Sequence, residues 1–225
     1  MKLLKSLLSA AAVASLAAMP LSSQAGPITL QFFDGINTVT VADGGLGDLN
    51  PLANAVTFVG TIGAWTLNVT TGEGVGFIPG TFGIDLNSVN ATTKGAGTLT
   101  IKLSEDGLNF GPGGPVSVTG GIGGTVGAGG NLTYSLYADT SNTLFGTPAG
   151  GLAFTGSSST GAFSNSGGAT IALANPFSLT MVTTLHHNGA ASTSYDFAGQ
   201  VPEPASIALV GLALLGLGAA TRRKA

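Results

Sequence analysis

The sequence predicts an all-β domain, an antiparallel β-sandwich of jelly-roll type, flanked by an N-terminal signal helix and a C-terminal transmembrane helix. Short runs in which apolar and polar residues alternate predict strands with one buried face. Glycine makes up 37 of the 225 residues, and each glycine inside a helix costs about 1 kcal/mol relative to alanine. Uncharged, mainly apolar segments with basic neighbours lie at the two ends, so we expect helices there.

Residues 1–25 have the organisation of a secretory signal peptide. Two lysines precede an apolar run at residues 7–18, which is shorter than the ~20 residues that a membrane-spanning helix needs. A retained anchor is therefore disfavoured. Ser23 and Ala25 place small side chains where signal peptidase requires them. We expect cleavage between Ala25 and Gly26, so that the mature chain begins at Gly26.

A three-part tail, residues 201–225, ends the chain. It contains a Pro-Glu-Pro motif at 201–204, an uncharged stretch at 205–220 and a basic end at 221–225. Sixteen helical residues reach ~24 Å, short of the ~30 Å hydrocarbon core, although long basic side chains can snorkel. The stretch therefore predicts a marginal transmembrane helix, and the basic end predicts that residues 26–200 lie outside the cytoplasm. The motif residues are Val201, Pro202, Glu203 and Pro204, and the basic residues that flank the membrane are Arg222, Arg223 and Lys224.

This tail resembles the PEP-CTERM sorting signal of Gram-negative bacteria, which is also known as the ice-binding protein C-terminal domain. The resemblance covers about 25 residues. It implies that the partner is an exosortase, a membrane-bound cysteine protease that cleaves near the Pro-Glu-Pro motif. It also implies transient residence in the inner membrane, followed by release to the cell surface or extracellular matrix. It implies nothing about what residues 26–200 bind.

The exported domain, residues 26–200, has no cysteine and an acidic balance. Its nine acidic residues against two lysines give a formal charge of about −7, whereas the whole chain carries −3. Such a domain repels phosphate backbones, so nucleic acid is not an expected partner. The lack of cysteine excludes disulfides, thiol nucleophiles and thiolate metal sites. The length is suited to one domain with its own core.

Period-two alternation predicts eight or more short strands within this domain, joined by connections rich in glycine, proline and asparagine. Two glycine- and serine-rich stretches, residues 120–130 and 156–168, are predicted to be loops or weakly paired segments. The apolar residues that alternation assigns to buried faces include Ile28, Leu30, Phe32, Trp65, Leu67, Ile84, Leu86, Leu99, Ile101, Leu103, Leu132, Tyr134, Leu136, Phe177, Leu179, Met181 and Leu185.

The sequence predicts no catalytic residues. His186 and His187 are adjacent, so on a strand they point to opposite faces, and no Gly-x-Ser-x-Gly nucleophile motif accompanies them. Glu105 and Asp106 form the densest acidic spot. Adjacent acids before Gly107 are more typical of a turn than of the two separated carboxylates of a glycosidase.

The sequence also predicts no cofactor and no metal site. Calcium is the ion that it could best accommodate, because Asp43, Asp48 and Asn50 share one glycine-rich loop, but their spacing fits no EF-hand. An ice-binding surface is not expected, since threonines such as Thr66 and Thr100 lie on runs of irregular spacing.

These observations favour a non-enzymatic, exported protein of the outer envelope or extracellular matrix. We expect a structural role linked to exopolysaccharide or biofilm, with exopolysaccharide as a candidate partner. The alternative is a secreted carbohydrate-binding or carbohydrate-active protein that uses Glu105, Asp106 or loop carboxylates.

Overall fold

The structure is a computed structural model, which describes residues 25–74, 83–109 and 113–201. Within them the chain forms antiparallel β-strands and one 3₁₀ turn at Ala149–Gly151. The prediction of an all-β antiparallel domain is confirmed. The strands are β1 Thr29–Phe33, β2 Thr38–Ala42, β3 Ala55–Ile62, β4 Trp65–Glu73, β5 Gly83–Thr93, β6 Gly97–Leu108, β7 Gly114–Asp139, β8 Leu152–Leu173, β9 Phe177–His187 and β10 Ala191–Gln200.

One path of hydrogen bonds joins the strands in the order β2-β1-β6-β9-β7-β10-β5-β4-β3, and β8 pairs with β7. Strand β7 changes neighbours halfway along its length: residues 119–125 pair with β10, whereas residues 130–139 pair with β9. On its other edge β7 pairs with β8 in both halves. The β7–β8 ribbon therefore belongs to both halves of the sheet.

The two halves of the sheet face each other and enclose the core. We call β1, β2, β6, β9 and the second half of β7 the first layer, and β3, β4, β5, β10 and the first half of β7 the second layer. The ring of Phe32 on β1 lies 4.8 Å from that of Phe58 on β3, and Trp65 on β4 lies 5.2 Å from His187 on β9. These strands are far apart in hydrogen-bonding order, so only packing of one layer on the other brings their rings together. The jelly-roll connectivity stays a prediction.

The core contains the apolar residues that alternation selects. Each residue of the set given above is at most 3% exposed, and together they form one continuous cluster. Since burying apolar surface contributes about 25 cal/mol per Å², this cluster is the main source of the fold's stability. It also fixes the outward direction of the polar residues between them.

The prediction that residues 120–130 and 156–168 are loops is wrong, because both stretches lie within β7 and β8. The alternative of weak pairing holds only locally, between Val126 and Asn131, where the register of β7 with β8 shifts. The glycines there make room for an aromatic ring that packs flat on the strands. A Cβ atom on Gly120 would lie 2.7 Å from the ring of Phe154, and one on Gly167 would lie 2.8 Å from it. In a strand, glycine permits such a close approach.

The two ends of the described chain lie at the same end of the sandwich. The Gly26 amide donates a hydrogen bond of 2.9 Å to the carbonyl of Asp106, near the end of β6. The neighbouring Glu105 faces Gly74, at the end of β4. Strand β10 runs in the same direction as β4, with β5 between them, and Val201 follows it at 2% exposure as part of the core.

Within the described residues, no helix combines the length and the apolar character needed to cross a membrane. The predicted signal helix and the predicted transmembrane helix fall on residues 1–24 and 202–225, outside the part of the chain that the structure describes.

Candidate functional site

The outer face of the second layer carries an open groove of about 440 Å³. The groove runs where β10, the first half of β7 and β8 lie side by side. Its floor is low because Gly121 has no side chain and a Cβ atom there would have no neighbour within 4 Å. Hydroxyl and amide groups of Thr119, Ser166 and Gln200 line it, together with Ala198.

A row of cross-strand neighbours leads from two carboxylates into this groove. Glu73 on β4 is paired with Asp85 on β5, and Asp85 is paired with Ala198 on β10. Ala198 is in turn paired with Gly121, and Gly121 with Ser166. Directly opposed residues of an antiparallel pair have Cβ atoms about 4.5–5.5 Å apart. The two carboxylates therefore form one wall beside the groove.

Burial and neighbouring charges raise the affinity of Asp85 for protons. Burial, followed by the charges of Glu73 and Asp196, raises the pKa of Asp85 to about 6. Burial also raises the pKa of Glu73. The carboxylate of Asp196 is held in place, since it accepts a hydrogen bond of 2.6 Å from the Ser88 amide. Near neutral pH this face is negative and rich in hydrogen-bond acceptors, which suits a neutral polyhydroxylated ligand and disfavours a phosphate.

The structure places the two histidines on opposite faces of β9, as alternation predicts. His186 is exposed and its Nδ1 lies 3.0 Å from the Thr98 hydroxyl. His187 is fully buried, and its Nε2 lies 2.9 Å from the Thr193 hydroxyl. Burial, followed by the charge of His186, lowers the pKa of His187. A histidine enclosed in this way packs the core and has no access to a substrate.

Glu105 and Asp106 lie inside β6, so their interpretation as a turn is wrong. Gly107, at φ +69°, interrupts the regular register of β6 with β9 between Glu105 and Leu108. The Asp-Gly pair therefore makes a bulge within a strand. Glu105 is fully buried, with its carboxylate against Gly74, whereas the Asp106 carboxylate lies against Gly26, so the two do not line a common cleft.

The carboxylates of the loop at residues 43–50 hold the backbone. Asp48 accepts hydrogen bonds of 2.8–2.9 Å from three main-chain amides, and Asp43 accepts one of 2.7 Å. Asn50 caps the same segment through its side-chain oxygen. Among the described residues no group of three or more histidine, cysteine, aspartate or glutamate side chains is placed to hold a metal ion.

The residues of the predicted cleavage and sorting sites are described only in part. Ala25 packs on the core, and Gly26 is tied to β6. Val201 is buried. The other sorting residues, Pro202, Glu203 and Pro204, and the basic residues Arg222, Arg223 and Lys224 lie outside the described residues.

Sequence reasoning did not single out Glu73, Asp85 and Asp196 as one site. Each occupies a polar position of a strand, which alternation can recognise. They lie up to 123 positions apart in the sequence, and only the register of β4, β5 and β10 brings them to one face.

The family model for the PEP-CTERM protein-sorting motif matches residues 200–224, which confirms the resemblance of the tail. No curated protein sequence matches the chain.

Several solved structures match at low similarity. TmCBM61 in complex with beta-1,4-galactotriose is 9% identical, with a TM-score of 0.30 over 50% of this chain and 68% of that chain. The K1 cleaved adhesin domain of Lys-gingipain from Porphyromonas gingivalis W83 is 11% identical, with a TM-score of 0.31 over 66% of this chain and 98% of that chain. A family 11 carbohydrate-binding module from Clostridium thermocellum, complexed with a mixed-linked tetrasaccharide, is 9% identical. Its TM-score is 0.31 over 79% of this chain and 98% of that chain. At these scores the likenesses carry no argument about function.

Proposed function

We propose that this chain, which carries the PEP-CTERM protein-sorting motif at residues 200–224, is an exported structural protein of the outer envelope or extracellular matrix of a Gram-negative bacterium. Residues 1–25 direct export and are removed, and the helix at residues 205–220 holds the precursor in the inner membrane until an exosortase-like protease acts. The jelly-roll sandwich at residues 26–200 then serves outside the cell without catalysis, in association with exopolysaccharide or biofilm.

The burial of Val201 is the observation that carries this proposal. Val201 is 2% exposed and belongs to the core, and Pro202 follows it directly. The domain therefore fixes the point at which the sorting motif begins, with no spacer between them. A protease that requires an accessible peptide must therefore cut on the C-terminal side of the buried Val201.

The position of the chain ends supports the same proposal. Gly26 and Val201 leave the sandwich at the same end, so the signal segment and the tail segment can both reach the membrane without crossing the domain. During export the precursor would hold this end towards the bilayer and the β1–β2 turn away from it.

Intact masses of the protein from cells with and without the sorting protease test this proposal. With the protease, we expect a mass that lacks residues 1–25 and the tail; without it, the tail remains. A Glu203→Ala variant serves as the matched control and should keep its tail in both strains. An intact tail in both strains for the unaltered chain would contradict the proposal.

A second candidate function is carbohydrate binding, because the groove beside Asp85 offers carboxylate, amide and hydroxyl groups on one open face. A glycan array and a hydrolase screen with the exported protein test it. The variant Gly121→Phe fills the groove where a side chain meets no neighbour, so it should abolish glycan binding while the fold is retained. Failure of the unaltered protein to bind any glycan would contradict this second function, and turnover would contradict a non-catalytic role.

A further inference from the structure

We propose that Asp106 binds the α-ammonium group that cleavage after Ala25 creates on Gly26, and thereby fastens the mature N-terminus to β6. The inference rests on the cleavage site of the proposed function. It goes beyond that function because it assigns the Gly26 ammonium as a ligand to Asp106, which takes no part in sorting or in the groove.

The geometry around Gly26 carries this inference. Its nitrogen donates a hydrogen bond of 2.9 Å to the Asp106 carbonyl. A Cβ atom on Gly26 would overlap Oδ1 of Asp106 and lie 3.1 Å from its Cγ. Standard backbone dimensions then place the carboxylate within roughly 4.5 Å of the Gly26 nitrogen. The Asp106 carboxylate therefore lies beside the nitrogen that becomes the free amino group when signal peptidase cuts after Ala25.

Cleavage changes what this nitrogen can offer. In the precursor it is an amide with one hydrogen, which the Asp106 carbonyl already accepts. In the mature chain it is an ammonium with three hydrogens and a positive charge. One hydrogen keeps the bond to the carbonyl, and a second can reach the carboxylate as a charge-assisted hydrogen bond, which is stronger than a neutral one.

Both partners are held in position by the fold. Ile28 is fully buried, and its carbonyl accepts a hydrogen bond of 2.9 Å from the Asp43 amide, so the first residues of the mature chain are anchored. On the other side, the Gly107 amide donates a hydrogen bond of 2.7 Å to the Asn142 side chain, which fixes the backbone beside Asp106. The contact therefore requires little further ordering.

The identity of residue 26 fits this role. Any side chain there would occupy the position of the Asp106 carboxylate, so only glycine lets the carboxylate lie against the backbone. The charged side chains on the neighbouring elements are Glu105 and Lys102 on β6, Asp43 after β2 and Asp139 at the end of β7. Lys102 lies four residues before Asp106, about 13 Å along the strand, whereas the three carboxylates lie nearer and favour a positive charge at this end.

The ammonium should therefore have a raised pKa in the folded chain. A free α-amino group titrates near 7.7–8.0, and a neighbouring carboxylate favours its charged form. The contact stabilises the fold fully below the unfolded value of about 8 and is lost as the pH rises through the higher folded value.

The test uses the exported protein, with its N-terminus identified by mass spectrometry, and measures the rate at which an amine-acylating reagent modifies Gly26 at pH 7.5. Asp106→Asn should speed this modification about three- to tenfold, which corresponds to a pKa difference of roughly half a unit to one unit. Asp34→Asn, which removes the same charge at the far end of β1, should leave the rate unchanged. Equal rates for the unaltered protein and Asp106→Asn would overturn the inference.

A second measurement separates the ammonium from a general structural role of Asp106. The Ser23→Arg substitution places a large charged side chain where signal peptidase requires a small one, so residue 26 should remain an amide. We expect Asp106→Asn to lower the melting temperature of the mature protein clearly more than that of this uncleaved precursor, with both measured in the same detergent. Equal losses would overturn the inference while the proposed cleavage stands. A mature N-terminus other than Gly26 would contradict both.

Discussion

The hydroxyl groups of Thr183 and Tyr195 lie 2.5 Å apart in the centre of the core and join the two layers of the sandwich. Thr183 belongs to β9 and Tyr195 to β10, and both side chains are at most 1% exposed. The Thr183 hydroxyl also contacts the Ile101 carbonyl at 3.3 Å. Since that carbonyl can only accept, Thr183 donates to it and Tyr195 donates to Thr183.

This arrangement predicts unequal costs for removing the two hydroxyl groups. Tyr195→Phe leaves Thr183 with its acceptor, so the free energy of unfolding should fall by only about 1 kcal/mol. Thr183→Val leaves the tyrosine hydroxyl buried without a partner and should cost about 1–3 kcal/mol. Urea denaturation measures both variants. A larger loss for Tyr195→Phe than for Thr183→Val would show that the direction of donation is wrong.

Two adjacent glycines of β7 should respond in opposite ways to alanine. Gly120→Ala forces a methyl group to 2.7 Å from the Phe154 ring and 3.3 Å from Leu136, which should cost about 1–3 kcal/mol through overpacking. Gly121→Ala places its methyl group in open space on the outer face and should be neutral or slightly stabilising. Thermal melts of the two variants provide the comparison, and equal losses would contradict the assignment of inward and outward faces.

Asp85→Asn should stabilise the protein at neutral pH. Because burial and two neighbouring carboxylates raise the folded pKa to about 6 from 3.8, the folded state binds the proton more tightly than the unfolded state. Asp85 therefore makes the fold lose stability as the pH rises from about 4 through 6. The variant should gain about 1 kcal/mol at pH 7, after allowance for solvent screening, and nothing at pH 3.5.

The control for this prediction is Asp34→Asn, for which we expect a change in stability of the opposite sign. Hydrogen bonds from Asn37 and Ile36 lower the pKa of Asp34, so this carboxylate stabilises the fold above its unfolded pKa. Its replacement should lower the melting temperature at pH 7. A gain for both variants would point to net charge as the cause.

Acid should destabilise the region around His187. The folded pKa of this buried imidazole lies below the usual 6.5, so the unfolded chain takes up the proton more readily. Stability should fall as the pH decreases below about 6.5. Trp65, the single tryptophan of the chain, packs edge-on against His187 at 5.2 Å, and its fluorescence reports the change. His187→Gln should reduce this pH dependence between pH 7 and 5; an unaltered dependence would contradict the assignment.

The buried faces of the strands could be predicted because alternation is a local property. Leu99, Ile101 and Leu103 show it within five residues, and all three are fully buried. The glycines of β7 and β8 led to a wrong prediction of loops, because they are needed to accommodate Phe154, which lies 34 positions after Gly120. The composition of the glycine-rich stretch alone does not show that a distant aromatic ring packs against it.

The groove could not be predicted for a related reason. Asp85 and Glu73 gain their raised pKa values from burial and, for Asp85, from neighbours on other strands. Those neighbours depend on strand register, which is set by pairing between distant segments. The sorting tail, by contrast, is a continuous stretch whose parts follow one another in the sequence, and it could be recognised directly.

The passage of β7 through both layers has a consequence for how the domain comes apart. Neither layer can separate from the other while β7 remains paired, because one covalent strand carries hydrogen bonds in each. We expect a single cooperative unfolding transition with no populated half-open state. Outside the cell, chaperones are scarce and proteases attack exposed strands. All-or-none unfolding would keep the core inaccessible to them until the whole domain unfolds.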